Sequence, residues 1–329
     1  MKKLSIIIPI YNVEEYVEKC IASVYQQNLS EDDFEIIVVD DESPDGSLAI
    51  VQGIAEKHSN ITIISQKNKG LGGARNTGIA AATTKYLFFL DSDDFLEPNV
   101  LQTYLDLADK HNTDFVEFGV QAAHMDGRVE VIKSNTSNEK VYSGIDYASN
   151  LKYMYSSDNK IYSREFLHSN GLQFIEHIYI EDYEFMTRAF RKAKRIVASD
   201  LIGVNYLQSP GSITRSTDPA KKQKKLDDIK RILGIIAMAK KEAIAEGAGE
   251  EVIRFYDIRL SFLNVTIMTQ LVKDKASFKE MKSLKQELKN AGVWTLEQPV
   301  VERNRNIFRL ALKNTFGIFA ITQPLLKLR

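Results

Sequence analysis

The 329-residue chain reads as an α/β protein: a mostly parallel sheet with helices on both faces over residues 1–217, then an all-α region over 218–329. Three observations predict this. In the first half, continuous apolar, β-branched runs without polar alternation are separated by helical patterns, as expected for strands covered on both faces. After about Asp218 the apolar spacing becomes almost entirely helical. Charge divides at the same place: from Lys221 onward 22 Lys/Arg stand against 12 Asp/Glu, whereas the first 220 residues carry 21 against 32. Such a split marks two parts with different tasks.

The elements follow in order. LSIIIPI (Leu4–Ile10) is a strand, and Val13–Gln27 has helical spacing. FEIIVVD (Phe34–Asp40) is a second strand, followed by a helical pattern over Ser47–Lys57. ITIIS (Ile61–Ser65) and KYLFFLD (Lys85–Asp91) complete four strands, with a glycine-rich turn and a small-residue helix between them. FVEFGV (Phe115–Val120) is a candidate fifth. From Asp126 to about Ser216 the pattern is mixed, with short strands and helical pieces around Lys160 and Asp182. Apolar periodicity then marks helices through Ile232–Met238, Ile253–Met268 and Phe278–Leu288.

Composition limits the function classes. With 44% hydrophobic and 26% charged residues, the chain can bury an ordinary core. The single Cys20 excludes a disulfide framework, and its apolar neighbours Ile21 and Val24 read as packing around a structural thiol. MKKLSIIIPIY imitates a signal peptide, but its apolar run is short, contains Pro9 and lacks a small-residue cleavage site, so it reads as the first strand. No stretch approaches the roughly 20 apolar residues of a membrane span. An intracellular protein is expected. Nucleic acid is not an expected partner, because the basic excess carries no recognised module or aromatic stacking pattern.

In an open parallel sheet, ligands bind beyond the carboxyl ends of the strands. Here those ends are chemically loaded: Pro9-Ile10-Tyr11-Asn12, Asp40-Asp41-Glu42-Ser43 and Asp91-Ser92-Asp93-Asp94. Three polar or aromatic strand ends converging on one edge argue for a site. The Asp91–Glu97 segment is not a helix-loop-helix calcium loop, since Phe95 and Leu96 occupy the places of a ligand and the turn glycine. An aspartyl phosphotransferase with Asp91 as nucleophile stays open, although that motif belongs on the first strand with a threonine shortly after. A divalent metal held by one or two carboxylates and completed by substrate phosphates fits the spacing without strain. KNKGLGGARNTG (Lys67–Gly78) is neither a dinucleotide fingerprint nor a Walker loop. It reads as a loop opening a helix, with backbone N–H groups and Arg75 available to a phosphate. Arg75 in a surface ion pair is an equal alternative.

Four motifs occur in order: Pro9-Ile10-Tyr11-Asn12, the Val39-to-Ser47 run with Asp40, Asp41, Ser43 and Asp45, Asn68 through Ala74-Arg75-Asn76 to Gly78, and Phe89-Leu90-Asp91-Ser92-Asp93-Asp94. Together they resemble the family 2 glycosyltransferases of bacterial polysaccharide type, inverting enzymes with the GT-A nucleotide-sugar fold. The resemblance covers roughly the first two-thirds of the chain. It continues through Asn159-Lys160-Ile161-Tyr162, through Ile180-Glu181-Asp182-Tyr183, and through Gly211-Ser212-Ile213-Thr214-Arg215, which is similar to the family's mobile loop.

The resemblance implies roles. Asp182 would be the catalytic base, and Asp93, with Asp91 beside it, would hold Mn²⁺ or Mg²⁺. Tyr11 would stack on the base of the nucleotide, Asp41 would bind its polar edge, and Asp40 would lie nearby. Pro9 and Ser92 would complete the donor site, and Arg75 would serve the diphosphate. For Lys160 and Glu181, contact with donor or acceptor and plain structural pairing are both open. The donor implied is a UDP-sugar and the acceptor a saccharide or lipid-linked saccharide, in surface polysaccharide assembly at the cytoplasmic face of the membrane. Two alternatives remain: a non-catalytic nucleotide-sugar-binding subunit, and a phosphotransferase or phosphatase that uses Asp91.

The tail NIFRLALKNTFGIFAITQPLLKLR (Asn306–Arg329) is apolar and aromatic, punctuated by Arg309, Lys313, Lys327 and Arg329. Such a segment suits peripheral contact with an anionic membrane. Packing within the protein, or in a homo-oligomer, is the alternative for the helices as a group.

Overall fold

The computed structural model describes residues 2–208, 218–300 and 302–320. It divides into two compact units, Met1–Ser216 and Thr217–Arg329. The first contains β1 (Leu4–Ile10), α1 (Val17–Val24), β2 (Phe34–Asp40), α2 (Ser47–Ala55), β3 (Ile61–Ser65), α3 (Gly70–Ala81) and β4 (Tyr86–Phe89). There follow β5 (Phe95–Leu96), α4 (Leu101–His111), β6 (Phe115–His124), β7 (Val129–Lys133) and α5 (Gly144–Asn150). The unit closes with β8 (Lys160–Ser163), α6 (Arg164–Ser169), α7 (Glu181–Lys192) and β9 (Ile196–Gln208).

Its strands form one sheet in the order β3-β2-β1-β4-β8-β6-β9-β5, with β7 added to β6. The first four are parallel, as their uninterrupted apolar runs require. β8 enters antiparallel between β4 and β6, so the sheet is mixed beyond β4. Every residue of β1 is buried. Pro9 fits there because the β4 ladder stops at Ile7↔Phe89, where a missing N–H leaves no partner unmatched on that side. Burying Ile6, Ile8, Val38, Phe88 and Phe118 in one cluster stabilises the sheet by about 1.5–3 kcal/mol per side chain relative to exposure.

The helical piece expected around Lys160 begins only at Arg164, and Lys160–Ser163 itself is a strand. Ile161 and Tyr162 are wedged between Phe88 and Phe115–Val116 on both neighbours, and pairing on two sides outweighs the local pattern of so short a segment. The fifth strand is longer than its apolar core suggests, reaching His124, while the helix expected from Val13 starts at Val17.

The second unit is helical: α8 (Pro219–Ala245), α9 (Glu250–Lys273), α10 (Phe278–Asn290), α11 (Arg303–Asn314) and a 3₁₀ turn at Phe316–Ile318. Asp218 caps α8 by accepting from the N–H groups of Ala220 and Lys221, with Pro219 in the first turn. Ser277 and Glu280 form a capping box on α10. Ile229, Ile232, Leu233 and Ile236 of α8 are buried, as are Leu260, Leu263 and Ile267 of α9. No helix among the described residues is long and apolar enough to cross a membrane.

Candidate active site

The ends of β1 and β2 are clasped together. Asp45 accepts from the Ser43 and Ser47 hydroxyls at 2.7 and 2.6 Å and from the Glu14 N–H at 2.9 Å. Ser43 in turn accepts from the Asn12 N–H at 2.8 Å. This clasp presents Tyr11, 51% exposed, beyond the end of β1. Asp40 and Asp41 are buried at the end of β2. Asp40 accepts from the Ser43 N–H at 3.0 Å. Asp41 uses Oδ1 for both the Lys69 N–H at 2.8 Å and Gln66 Nε2 at 2.7 Å.

α3 carries Arg75 into the interior. Two glycines make this possible: a Cβ on Gly78 would collide with the Ile7 side chain, and one on Gly72 would lie 2.7 Å from the Ile175 carbonyl oxygen. Asn76 locks the same face by exchanging two hydrogen bonds with the Phe174 backbone, at 2.9 and 2.8 Å. Arg75 is fully buried. It donates through Nη2 to Asp91 at 2.7 Å, and through Nη1 to Asp182 at 2.7 Å and Glu181 at 3.0 Å. The surface ion pair anticipated as one alternative for Arg75 is therefore a buried hub of three carboxylates.

Glu181 and Asp182 open α7. Immediately before them Ile180 has φ +57°, a left-handed conformation that costs a β-branched residue about 1–3 kcal/mol. The surrounding structure holds the backbone there, and with it the two acids over Arg75. Asp182 also accepts from Ser157 Oγ at 2.7 Å. Both of its donors reach Oδ1, and a quarter of its side chain remains open to solvent. Burial raises the pKa of Asp182 against the pull of Arg75. Burial and the adjacent Asp182 push Glu181 up to about 8, with Arg75 opposing.

The segment before β8 adds residues that motif reading missed. Asp158 is buried and accepts from Tyr206 Oη at 2.7 Å and from Ser156 Oγ. One of its carboxylate oxygens forms a group with one oxygen each of Asp91 and Asp94, the three within 4.8 Å of one another. Asp94 Oδ1 accepts from the Leu207 N–H at 2.8 Å. Burial and the repulsion of Asp91 raise Asp158 to about 7, and the same two causes raise Asp93 to about 6. Asp94 is raised by burial and by Asp93. Three hard oxygen donors, largely dry and mutually repelling, match the donor set that Mg²⁺ or Mn²⁺ prefers.

Sequence reading paired Asp91 with Asp93 as metal ligands; the structure groups Asp91 with Asp94 and Asp158, and Asp93 stands outside that group. Ser92 is buried in the turn between them. Lys160, for which ligand contact and structural pairing were both open, is fully buried. Its ammonium donates to the carbonyls of Met154 and Ser156 and to Asn159 Oδ1, at 3.2, 2.7 and 2.6 Å. It pins the segment that delivers Ser157 and Asp158. The only advance signal for Asp158 was its place directly before the Asn159-Lys160 motif. Gly211–Arg215 lies outside the described residues.

The sheet order, the loaded strand ends and the acid cluster around Arg75 define a GT-A-like α/β fold with a helical C-terminal unit. Residues 5–171 match the model of glycosyl transferase family 2, and the chain belongs to that family. It is 35% identical over 217 residues to the uncharacterized glycosyltransferase EpsJ of Bacillus subtilis, covering 64% of this chain and 62% of that one. It is 29% identical over 204 residues to the poly(ribitol-phosphate) beta-N-acetylglucosaminyltransferase TarS of Staphylococcus aureus, covering 61% and 35%. The matched stretch thus spans less than two-thirds of either relative. The crystal structure of S. aureus TarS 1-349 in complex with UDP-GlcNAc is similar in fold, with a TM-score of 0.63 at 21% identity over 98% of this chain and 92% of that one.

Proposed function

We propose that this chain is an inverting glycosyltransferase that moves a sugar from a nucleotide-sugar, a UDP-sugar in the first instance, to a hydroxyl of a saccharide acceptor. Family membership supports the reaction class, and the fold shared with a UDP-GlcNAc complex supports the donor class. The observation that carries the reading is Asp182. Arg75 and Ser157 both occupy its Oδ1, which leaves Oδ2 of a partly open carboxylate to receive a proton. An acceptor hydroxyl is a poor nucleophile until a base within hydrogen-bond reach takes its proton. Attack opposite the leaving nucleoside diphosphate then inverts the anomeric carbon.

The other residues support this step. Arg75 counters the burial that would protonate Asp182, and Ser157 fixes its rotamer. The exposed ring of Tyr11 offers a stacking surface for the nucleotide base, and Asp41 keeps Oδ2 for the base edge because Oδ1 is taken. Asp91, Asp94 and Asp158 would hold a divalent cation, Mn²⁺ or Mg²⁺, with Asp93 on the same turn. When bound, the ion supplies a Lewis acid that neutralises the departing diphosphate.

Asp182→Asn tests the assignment. The expected result is loss of transfer by about 10²–10⁴-fold with UDP affinity held within about twofold. Donor turnover is scored on a panel of nucleotide-sugars with Mn²⁺, by slow hydrolysis as well as transfer. UDP binding without any turnover in the parent protein would instead favour a non-catalytic nucleotide-sugar-binding subunit.

Lipid-linked acceptors in surface polysaccharide assembly are the proposed setting, with the protein peripheral on the inner face of the cytoplasmic membrane. Ile307 and Leu310 on α11 are 58% and 42% exposed, beside the exposed Arg303. An apolar strip flanked by a cation suits an anionic lipid interface. Ile307→Glu/Leu310→Glu should abolish co-sedimentation with anionic vesicles, and equal pelleting of parent and variant would remove the membrane role.

A further inference from the structure

β3 ends at Ser65, whose register partner on β2 is Asp40. The residues that follow, Gln66 and Asp41, therefore meet at the same sheet edge. Gln66 Nε2 donates to Asp41 Oδ1 at 2.7 Å. The Lys69 N–H reaches the same oxygen at 2.8 Å, and Asn68 Nδ2 donates to the Asp41 carbonyl at 3.0 Å. The Asp41 N–H donates to the Ile10 carbonyl at 3.1 Å, which pins the residue beside the strand end that carries Tyr11. Asp41 is 3% exposed. Among the described residues both side-chain donors reach Oδ1 and none reaches Oδ2. Gln66 is not free to turn its amide over. Thr77 Oγ1, on α3, lies 2.5 Å from Gln66 Oε1 and 3.2 Å from the Gly73 carbonyl oxygen, and the shorter contact takes the hydroxyl proton. A carboxylate oxygen only accepts. A reversed amide would set Oε1 against Asp41 Oδ1, two acceptors face to face.

We infer that Gln66, oriented by Thr77, is a positioning residue that selects the nucleobase of the donor. It holds Asp41 so that Oδ2 meets an N–H on the pairing edge of the base, which uracil has at N3 and cytosine lacks. This rests on the reading of Asp41 as the acceptor for the base edge. Two donors on one oxygen keep the carboxylate plane from rotating, so the other oxygen accepts from one direction. Cytosine would bring a lone pair where uracil brings a proton, leaving acceptor against acceptor. A side chain that merely packed would serve both bases alike.

Dissociation constants for UDP and CDP are measured on the full chain by calorimetry with Mn²⁺. Their ratio is the readout, because the cation and the diphosphate contribute equally to both. The parent should prefer UDP by at least about tenfold. In Gln66→Met, UDP should weaken by about five- to tenfold and CDP by less than about twofold. Thr77→Val should lose about threefold of the preference, and Thr77→Ser should restore it. Gln66→Glu gives a pH signature. Near pH 5.5 one proton lies between the introduced carboxyl and Asp41 and replaces the amide donor; toward pH 8.5 both ionise and repel. Preference for UDP in this variant should therefore be present at low pH and lost as pH rises, while the ratio in the parent stays flat. Suppose the parent prefers UDP. Equal weakening of both nucleotides in Gln66→Met, or the same preference at both pH values in Gln66→Glu, would then overturn the role of Gln66 alone. A parent that binds neither nucleotide, or both equally, would overturn the UDP-donor reading together with it.

Discussion

Arg75→Met removes the cation that forms ion pairs with Asp91, Glu181 and Asp182, while keeping much of the side-chain volume. The guanidinium is fully buried, with contacts of 2.7, 3.0 and 2.7 Å to those carboxylates. Deleting one partner of a buried ion pair destabilises by about 3–5 kcal/mol, because the other charge is left uncompensated. Glu181, at about 8, already holds its proton at pH 7 in the parent. Without Arg75, Asp91 and Asp182 cannot both stay ionised beside it, so at neutral pH the native variant would bind a further proton that neither the parent nor the unfolded chain does. Forcing one carboxyl to protonate at pH 7 from an ordinary pKa near 4 costs about 4 kcal/mol. That caps the loss per group and agrees with the first figure. The sign follows from proton uptake. A carboxyl pKa raised on folding means the native state holds more protons, so its stability falls as pH rises and recovers as pH falls toward 4. The stability gap between parent and variant should therefore be about 3–5 kcal/mol at pH 7 and should narrow by about 1.4 kcal/mol per pH unit for each proton taken up. Urea unfolding followed by far-UV circular dichroism from pH 8 to pH 5 measures it. A gap below about 1 kcal/mol, or one that does not change with pH, would refute the hub. Arg75→Lys should fall between, since one ammonium cannot reproduce the planar fork.

Divalent cation binding should weaken on acidification from pH 8 to pH 5.5. Asp158, raised to about 7, takes up a proton in that window and competes with the ion, while Asp93, raised to about 6 on the same turn, loses its negative charge beside the cluster. Manganese titration by electron paramagnetic resonance, with Asp158→Asn as the variant that loses the site, checks it; pH-independent affinity would speak against the cluster. Gly72→Ala should destabilise by about 1–3 kcal/mol, because its Cβ would press 2.7 Å from the Ile175 carbonyl. It should also slow donor turnover by displacing the segment that leads to Glu181, and a shift in melting temperature with unchanged turnover would confine the glycine to packing. Lys160→Met should cost about 1–3 kcal/mol by leaving the carbonyls of Met154 and Ser156 without their donor. UDP affinity should be unchanged if Lys160 only positions its segment.

The sequence by itself determined the parallel half of the sheet. β1, β2 and β4 are runs of apolar residues with no polar alternation, and such runs are stable only when covered on both faces. It also placed Tyr11, Asp40–Asp41 and Asp91–Asp94 at one edge, since parallel strands present their carboxyl ends on the same side. The change to helical spacing and basic charge near Asp218 was equally readable. What only the tertiary structure decided lies in the segment between. β8 has four residues, too few to establish a period, and becomes a strand because β4 and β6 flank it. Asp158 joins Asp91 and Asp94 through that insertion, so no spacing along the chain announced it. Arg75 is the sharpest case. Local pattern allowed a phosphate ligand or a surface pair, but its partners Glu181 and Asp182 lie 106 and 107 residues away. A carboxylate's partner depends on which groups share its desolvated volume, and that is set by packing between elements distant in sequence.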